Sequence, residues 1–571
     1  MIWQAKSNLT VGQGFSLAKK PRFTLTVLPV VFGLAFTFSL PAVAEERMPG
    51  VIERPPVEAP ETLKKPPEEL EKKEPDAEPF LLVEGTITLK EVKFSGALIF
   101  GEKDLNKIAK PYLDRPLTSK DMASLKYDLT TFYYDRGYIL VKIVTPPQDL
   151  TDGVLDVTVY AGRIGEVETR ITGINPYVVN AMKGRLIKGD IFNERAVETA
   201  ITDINDIANL KAKLSLRPGK EFGTTDMLID VSPAKEDVQQ IMVDNYGSKL
   251  TGEWVGTLNL KKTNLLKTGE TFGLTYRKSE DNLDTVDLDF SIPIGISNLR
   301  LELDYLNSKS EIGGRLDVLD ASGESERYGA ALSGKIMNML QRQLSWRAGL
   351  EKRRHESFLA DVTESDDAIT RVYLETAYLY RASKYVAYAG FTLSKGVGLF
   401  GADGKEEIDA SRASGDPRAW RLEPVIYLGF HPTFKDKLYA FITGQFGGSV
   451  LLASDLFTIG GYGSVRGFSP AQETGDSGVQ ATVEYSHKFA VTGKIDMDAA
   501  VFFDGASVSN RLPGAAVDSN LYSGGAGIEF VGRFFGFGDT KARMDFAVPI
   551  GSYRDTNVAD DTFYLRVVQR F

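Results

Sequence analysis

His355, His431 and His487 are the chain's three imidazoles, they lie far apart in sequence, and there is no cysteine. Thiol nucleophiles, disulfides and cysteine-ligated zinc or iron–sulfur sites are therefore excluded, and little room is left for histidine chemistry. Ser486-His487, near the acids of 494–504, is the one candidate for a nucleophile beside a base. Neighbouring residues of a strand point to opposite faces, so an ordinary strand histidine is the simpler reading and a hydrolase the lesser one. A second constellation would hold rather than react. Val465-Arg466-Gly467-Phe468 stands in a polar, glycine-rich stretch, after Gly460-Gly461-Tyr462-Gly463-Ser464 and before Ser469-Pro470. Downstream, Asp496, Asp498 and Asp504 share one parity while Ile495, Met497, Ala499 and Val501 share the other. A loop arginine folded onto such an acidic face would form a partly desolvated pair, and removing one partner would cost about 3–5 kcal/mol. That is enough for a latch.

The elements that must position these residues are legible in the composition and patterning. With 571 residues the chain is long enough for two or three domains. Its formal charge is 67 − 77 = −10, an acidic balance that argues against a nucleic-acid partner. Lys19, Lys20 and Arg22 precede the uncharged stretch Phe23 to Leu40, and Ala42-Val43-Ala44 follows. This order predicts a signal peptide over 1–44, with an uncleaved anchor as the alternative. No later apolar run is long enough for a spanning helix. Residues 45–80 read as a Pro/Glu-rich periplasmic tether, with eight prolines and eleven acidic residues in 45–79.

From Phe80 the pattern predicts a strand at Ile87–Phe94, helices at about Lys103–Leu113 and Ser119–Tyr134, and strands Tyr138–Val144 and Val154–Tyr160. Thr118 or Ser119 would cap the second helix, Met122, Leu125, Leu129 and Phe132 would share its inner face, and Gly137 would end it. The same order recurs: strand Arg163–Thr172, helices Tyr177–Leu186 and Glu194–Ile207, strands Lys211–Leu216 and Met227–Val231. Two tandem α/β modules, 81–162 and 163–235, are expected.

Beyond 236 the period becomes two. Leu299, Leu301, Leu303 and Tyr305 interleave with Arg300, Glu302 and Asp304, and Met544, Phe546, Val548 and Ile550 with Arg543, Asp545 and Ala547. One face is mostly apolar and the other carries charges of both signs, as in a barrel with lipid outside and water within. At about 21 residues per strand plus loop, the 336 residues 236–571 give about 16 strands of roughly ten residues each. Phe563, Leu565, Val567 and the terminal Phe571 close the pattern. The fold class expected is a transmembrane antiparallel β-barrel preceded by two periplasmic α/β domains. In that frame Asp496, Asp498 and Asp504 face the lumen. The run Glu351-Lys352-Arg353-Arg354 reads as a hydrated loop or strand end.

Three stretches carry a resemblance. Residues 138–164, with Pro146-Pro147-Gln148, Gly153 and Gly162-Arg163, resemble the first POTRA domain of the transporters of two-partner secretion, the TpsB family within the barrel superfamily that includes BamA. Leu216-Arg217-Pro218-Gly219 with 223–231 resembles the end of that family's second POTRA domain, and Asp244-Asn245-Tyr246-Gly247 its entry into the first barrel strand. The third stretch is Val465-Arg466-Gly467-Phe468. The family's strand partner reads Phe-x-Asp-x-Gly, so the resemblance implies Asp504 as first choice for the partner of Arg466, although here Phe502-Phe503-Asp504 is followed by Gly505-Ala506 and the glycine is shifted. The family's N-terminal plug helix is not evident, because Pro49, Pro55 and Pro56 interrupt the first mature residues.

The resemblance implies an outer-membrane pore that captures an unfolded exoprotein through its POTRA domains and exports it, with no enzyme activity, cofactor or metal. The implied partners are the extended exoprotein, outer-membrane lipid and the barrel assembly machinery that inserts the pore, with no nucleic acid. Strand addition at a POTRA edge would suit an extended client. No GxxxxGK[ST] loop is present, so transport would draw on folding of the client outside. The alternative is a BamA-like assembly factor that inserts other barrels. A passive porin would have no use for two periplasmic modules.

Overall fold

The structure is a computed structural model that describes residues 85–571 apart from 185, 208–209, 235–236, 281, 295–297, 406–408, 493–494, 513–518, 534–537 and 552–561. The signal peptide, the tether and the question of a plug helix lie outside the described residues. Among these residues no helix is long and apolar enough to cross a membrane.

The first module has helices α1 (Glu102–Ala109) and α2 (Ser119–Tyr134) over a three-stranded sheet. In that sheet Val154–Ala161 pairs in parallel with Glu91–Gly96 and antiparallel with Val141–Val144. The predicted opening strand is split into Ile87–Thr88 and Glu91–Gly96. Thr118 caps α2 in a capping box with Asp121, which satisfies two otherwise orphaned amides. Met122, Leu125 and Leu129 are buried as the spacing requires, but Tyr133 and not Phe132 completes the buried line. Tyr133 is four residues beyond Leu129, on the same helical face.

The second module repeats the plan with α3 (Pro176–Lys183) and α4 (Glu194–Asn205). Its sheet pairs Thr224–Pro233 in parallel with Arg163–Ile171 and antiparallel with Leu210–Pro218. The two modules meet end to end. The amide of Glu194 donates to the carbonyl of Gly137 at 2.8 Å, and Asn193 Nδ2 to that of Arg136 at 3.2 Å. Gly137 adopts φ +88°, and a Cβ there would lie 3.0 Å from Asn193 Oδ1. It therefore ends α2 and also admits the next module.

Sixteen antiparallel strands, Val238–Asp244 through Thr562–Arg570, close into a barrel. The last strand pairs with the first from Arg566 opposite Asp244 to Arg570 opposite Gln240. Asp244-Asn245-Tyr246-Gly247 closes the first strand and does not open it. Leu303, Ile426, Leu428, Phe546 and Phe563 are exposed on the outer face, while Arg277, Arg353, Arg371 and Arg421 on the other parity are buried within. Several strands exceed the expected ten residues: Val362–Arg381 has 20 and Arg342–Leu359 has 18. About 9–11 residues suffice to cross the bilayer, so the excess extends beyond it. Glu351-Lys352-Arg353-Arg354 is neither loop nor strand end, since it lies within Arg342–Leu359. Strict alternation had already divided its charges between two faces.

Candidate functional site

Residues 448–476 join strand Asp436–Gly447 to strand Ser477–Thr492 and fold onto the inner wall of the barrel. Within this loop Phe457–Ile459 pairs with Glu473–Gly475 as a short hairpin. Phe457, Ile459, Val465 and Phe468 are buried against Ala506, Val508 and Leu521 of the wall. The loop thus carries its own apolar core into a polar lumen.

The residues of the Val465–Phe468 motif divide three tasks among them. Val465 and Phe468 supply the packing just described. Gly467, at φ +94°, turns the chain so that its amide donates to the Tyr564 hydroxyl at 3.0 Å. Arg466 is 5% exposed and meets Asp504, which is fully buried. Arg466 Nε donates to Asp504 Oδ2 at 2.7 Å and Nη2 to Oδ1 at 2.9 Å, while the Arg466 amide also reaches Oδ2, at 3.2 Å. Thr482 Oγ1 donates to the same carboxylate. The guanidinium lies over the Phe502 ring, its Cζ 3.3 Å from the centroid. That face supplies cation–π attraction in a desolvated setting.

The first-choice partner is the one that meets the arginine. Asp496 instead pairs with Lys488 at 2.7 Å, and Asp498 makes no hydrogen bond or ion pair with Arg466. The shifted glycine leaves the strand intact, for Ile495–Ser509 pairs with Ser519–Gly532 without a break in register. Three wall residues complete the site without having been singled out from sequence. Glu484 Oε2 accepts from Arg466 Nη1 at 3.3 Å, and both Glu484 oxygens accept from Arg543, at 2.9 and 2.8 Å. Arg543 Nε in turn donates to Asp545 Oδ2 at 2.8 Å. Glu484, Arg543 and Asp545 stand on separate strands or one strand two residues apart, and only the strand register unites them.

Glycines make the room. A Cβ on Gly525 would lie 2.3 Å from Phe502 Cζ and 2.2 Å from the Phe546 carbonyl oxygen, and one on Gly527 would lie 2.0 Å from Asp545 Oδ1. The histidines form no centre: His487 Nδ1 is 2.7 Å from Asp436 Oδ1, and Ser486 stands across from Lys437 and Ala500. The arrangement is a lumen loop held by buried ions.

The profile of the haemolysin secretion/activation proteins ShlB/FhaC/HecB matches residues 223–530, more than half of the 571, and that of the ShlB-type POTRA domain matches 87–162. The heme/hemopexin transporter protein HuxB of Haemophilus influenzae (strain 86-028NP) is 24% identical over 489 residues, covering 82% of this chain and 84% of its own. The outer membrane transporter CdiB of Dickeya dadantii is 24% identical over 463 residues, covering 78% of this chain and 81% of its own. Among solved structures, CdiB from Escherichia coli superposes with a TM-score of 0.74 at 19% identity, over 86% of this chain and 91% of that one. Both relatives are named as transporters. Sixteen-stranded barrel, tandem modules and family profile agree: the chain belongs to the haemolysin secretion/activation family of two-partner secretion, an outer-membrane pore for exoprotein export with its POTRA domains in the periplasm.

Proposed function

We propose that the modules over 81–162 and 163–235 take hold of one extended exoprotein and pass it to the barrel over 236–571. In this reading the Arg466–Asp504 pair is the latch that keeps loop 448–476 in the lumen until a client arrives. The observation that carries it is the buried fork between Arg466 and Asp504. A pore closed by desolvated ions needs a defined event to open, whereas a passive channel needs none.

The capture surface is the strands next to α2 and α4. Val141–Val144 and Leu210–Pro218 are the outer strands of their sheets, so one edge of each can add a strand from the client. The outward apolar band contacts outer-membrane lipid, and the barrel assembly machinery inserts the barrel. The chain performs no catalysis in this scheme and uses no cofactor.

A comparison of secreted and outer-membrane proteomes with and without the gene tests the reading. Loss of one or two large exported proteins, with other barrels at normal levels, supports it. A general fall in outer-membrane barrels makes the chain an assembly factor instead. Deleting 81–235 should abolish client capture and leave ion conductance.

A further inference from the structure

The loop is held at a second point by a charge of the opposite sign. Eleven residues before Arg466, Asp455 ends the turn Ala453–Asp455 and is 1% exposed. Its carboxylate accepts from Arg371 Nη2 and, at 3.2 Å, from Arg421 Nη1, and Arg353 Nη1 lies 3.7 Å away. The three arginines come from three strands, Arg342–Leu359, Val362–Arg381 and Trp420–Phe430, and all are buried. Wall residues balance them in part: Glu351 lies 3.0 Å from Arg353 and 3.8 Å from Arg371, and Glu423 3.6 Å from Arg421. In these ion pairs among the described residues three wall arginines meet two wall carboxylates, and the loop's Asp455 supplies the third.

Such a cluster calls for an anion at all times, because an uncompensated buried cation is costly. It is also built for a carboxylate. Guanidinium forks match carboxylate oxygens, and Arg371 Nε and Nη1 and Arg421 Nε have no hydrogen-bond acceptor among the described residues. When the loop leaves the lumen, Asp455 leaves with it, and a cationic site faces the pore. The Arg466 end behaves inversely, since among the ion-paired groups there Arg543 is left against three carboxylates, Asp504, Glu484 and Asp545, once Arg466 has gone.

We propose that Arg353, Arg371 and Arg421 form a carboxylate-binding station on the pore wall, that Asp455 is its resident ligand, and that an acidic segment of the exported polypeptide displaces Asp455 and frees this end of the loop. The proposal rests on the export reading for its ligand's source, and its test does not.

The full chain in planar bilayers, with oligoglutamate or oligoglutamine added on the POTRA side, gives that test. Oligoglutamate should raise the open probability roughly fivefold or more, the span of an ordinary coupling between sites. Oligoglutamine should leave it unchanged. Asp455→Asn should open more often without peptide, and Asp455→Glu should restore the closed state. In the Arg371→Gln/Arg421→Gln variant the oligoglutamate response should vanish. Equal responses to the two peptides, or a response that survives the double substitution, overturn the station. Should the double variant not fold, labelling of Ser464→Cys in the otherwise cysteine-free chain decides. Faster maleimide reaction with Asp455→Asn supports the anchor, and an unchanged rate overturns it. Normal export together with no oligoglutamate response removes the station and leaves the export reading standing.

Discussion

Arg466 and Asp504 meet as a two-pronged fork on the barrel's inner wall, with the Arg466 amide on the same carboxylate. Two guanidinium nitrogens are engaged in parallel, a geometry that an ammonium cannot reproduce. Arg466→Lys should therefore behave almost as Arg466→Ala: a folded barrel in the outer membrane, higher resting conductance, and export reduced sharply. Breaking such a buried pair costs about 3–5 kcal/mol, roughly a hundredfold or more in the closed-to-open ratio. Single-channel recording reads the ratio and immunoblotting of the medium reads export. Full secretion by Arg466→Ala would sink the latch.

Gly525 gives a subtler handle on the same pair. The Phe502 ring lies against it and Arg466 lies over that ring, so a methyl group at 525 must displace the ring on which the guanidinium rests. Gly525→Ala should raise resting conductance with no charge altered, and should cost about 1–3 kcal/mol of overpacking. Phe502→Ala in that background should relieve the clash with the ring, though not the one with the Phe546 carbonyl oxygen, while losing the cation–π contact. If conductance and heat-modifiable migration of Gly525→Ala equal those of the wild type, the ring does not support the latch.

Much of this arrangement was legible before the structure. The period-two pattern predicts the barrel because lipid sorts side chains by parity, and parity alone puts Asp504 inward. The glycine-rich stretch predicts a loop, and the arginine within it a use for charge. Asp455 had no such signal. Leu451-Leu452-Ala453-Ser454-Asp455 is short and aperiodic, and Arg353, Arg371 and Arg421 each look like one more inward cation on its own strand. Their convergence depends on register and on the long outer reach of strands such as Val362–Arg381, neither of which single-strand patterning reveals. The charged run 351–354 misled for another reason, since alternation divides it: Glu351 and Arg353 belong to the inward arginine cluster, and the outward Arg354 pairs with Asp366.

The cap of α2 predicts a pH dependence in the periplasmic modules. Hydrogen bonds from the Thr118 hydroxyl and amide, with Arg115 nearby, hold the Asp121 carboxyl down at about 2. A depressed carboxyl stabilises the fold fully above its unfolded value of about 3.9 and loses that contribution as pH falls through the folded one. Protection of the first-turn amides of α2, corrected for intrinsic exchange, should hold from neutral pH to about 4 and decline between about 4 and 2. Asp121→Asn should show less protection at neutral pH and little decline. Thr118→Ala removes the cap itself and should cost about 1 kcal/mol.

Asn338 predicts how the second module is held on the barrel. It is the last residue of strand Ala321–Asn338 and is 1% exposed. Its Nδ2 donates to Asp203 Oδ1 at 2.8 Å and to Asp206 Oδ2 at 2.5 Å, while Gln343 Nε2 donates to its Oδ1 at 3.1 Å. Lys335 reaches Asp206 at 2.7 Å, and the amide of Leu340 donates to Glu198 at 2.7 Å, so α4 rests on this turn through several bonds. Asn338→Asp would set a third carboxylate against Asp203 and Asp206. The lost charge-assisted bonds alone are worth about 1.5–3 kcal/mol, and repulsion adds to that. Proteolysis between Pro233 and Val238 should accelerate, and export should fall while ion conductance is unchanged. Asp203→Asn added to Asn338→Asp restores a donor opposite the new acceptor and should return both readouts toward normal. Accelerated cleavage with normal export would mean that α4 rests on the barrel without guiding the client into it; recovery of both in the double variant would make this turn the point where capture is coupled to the pore.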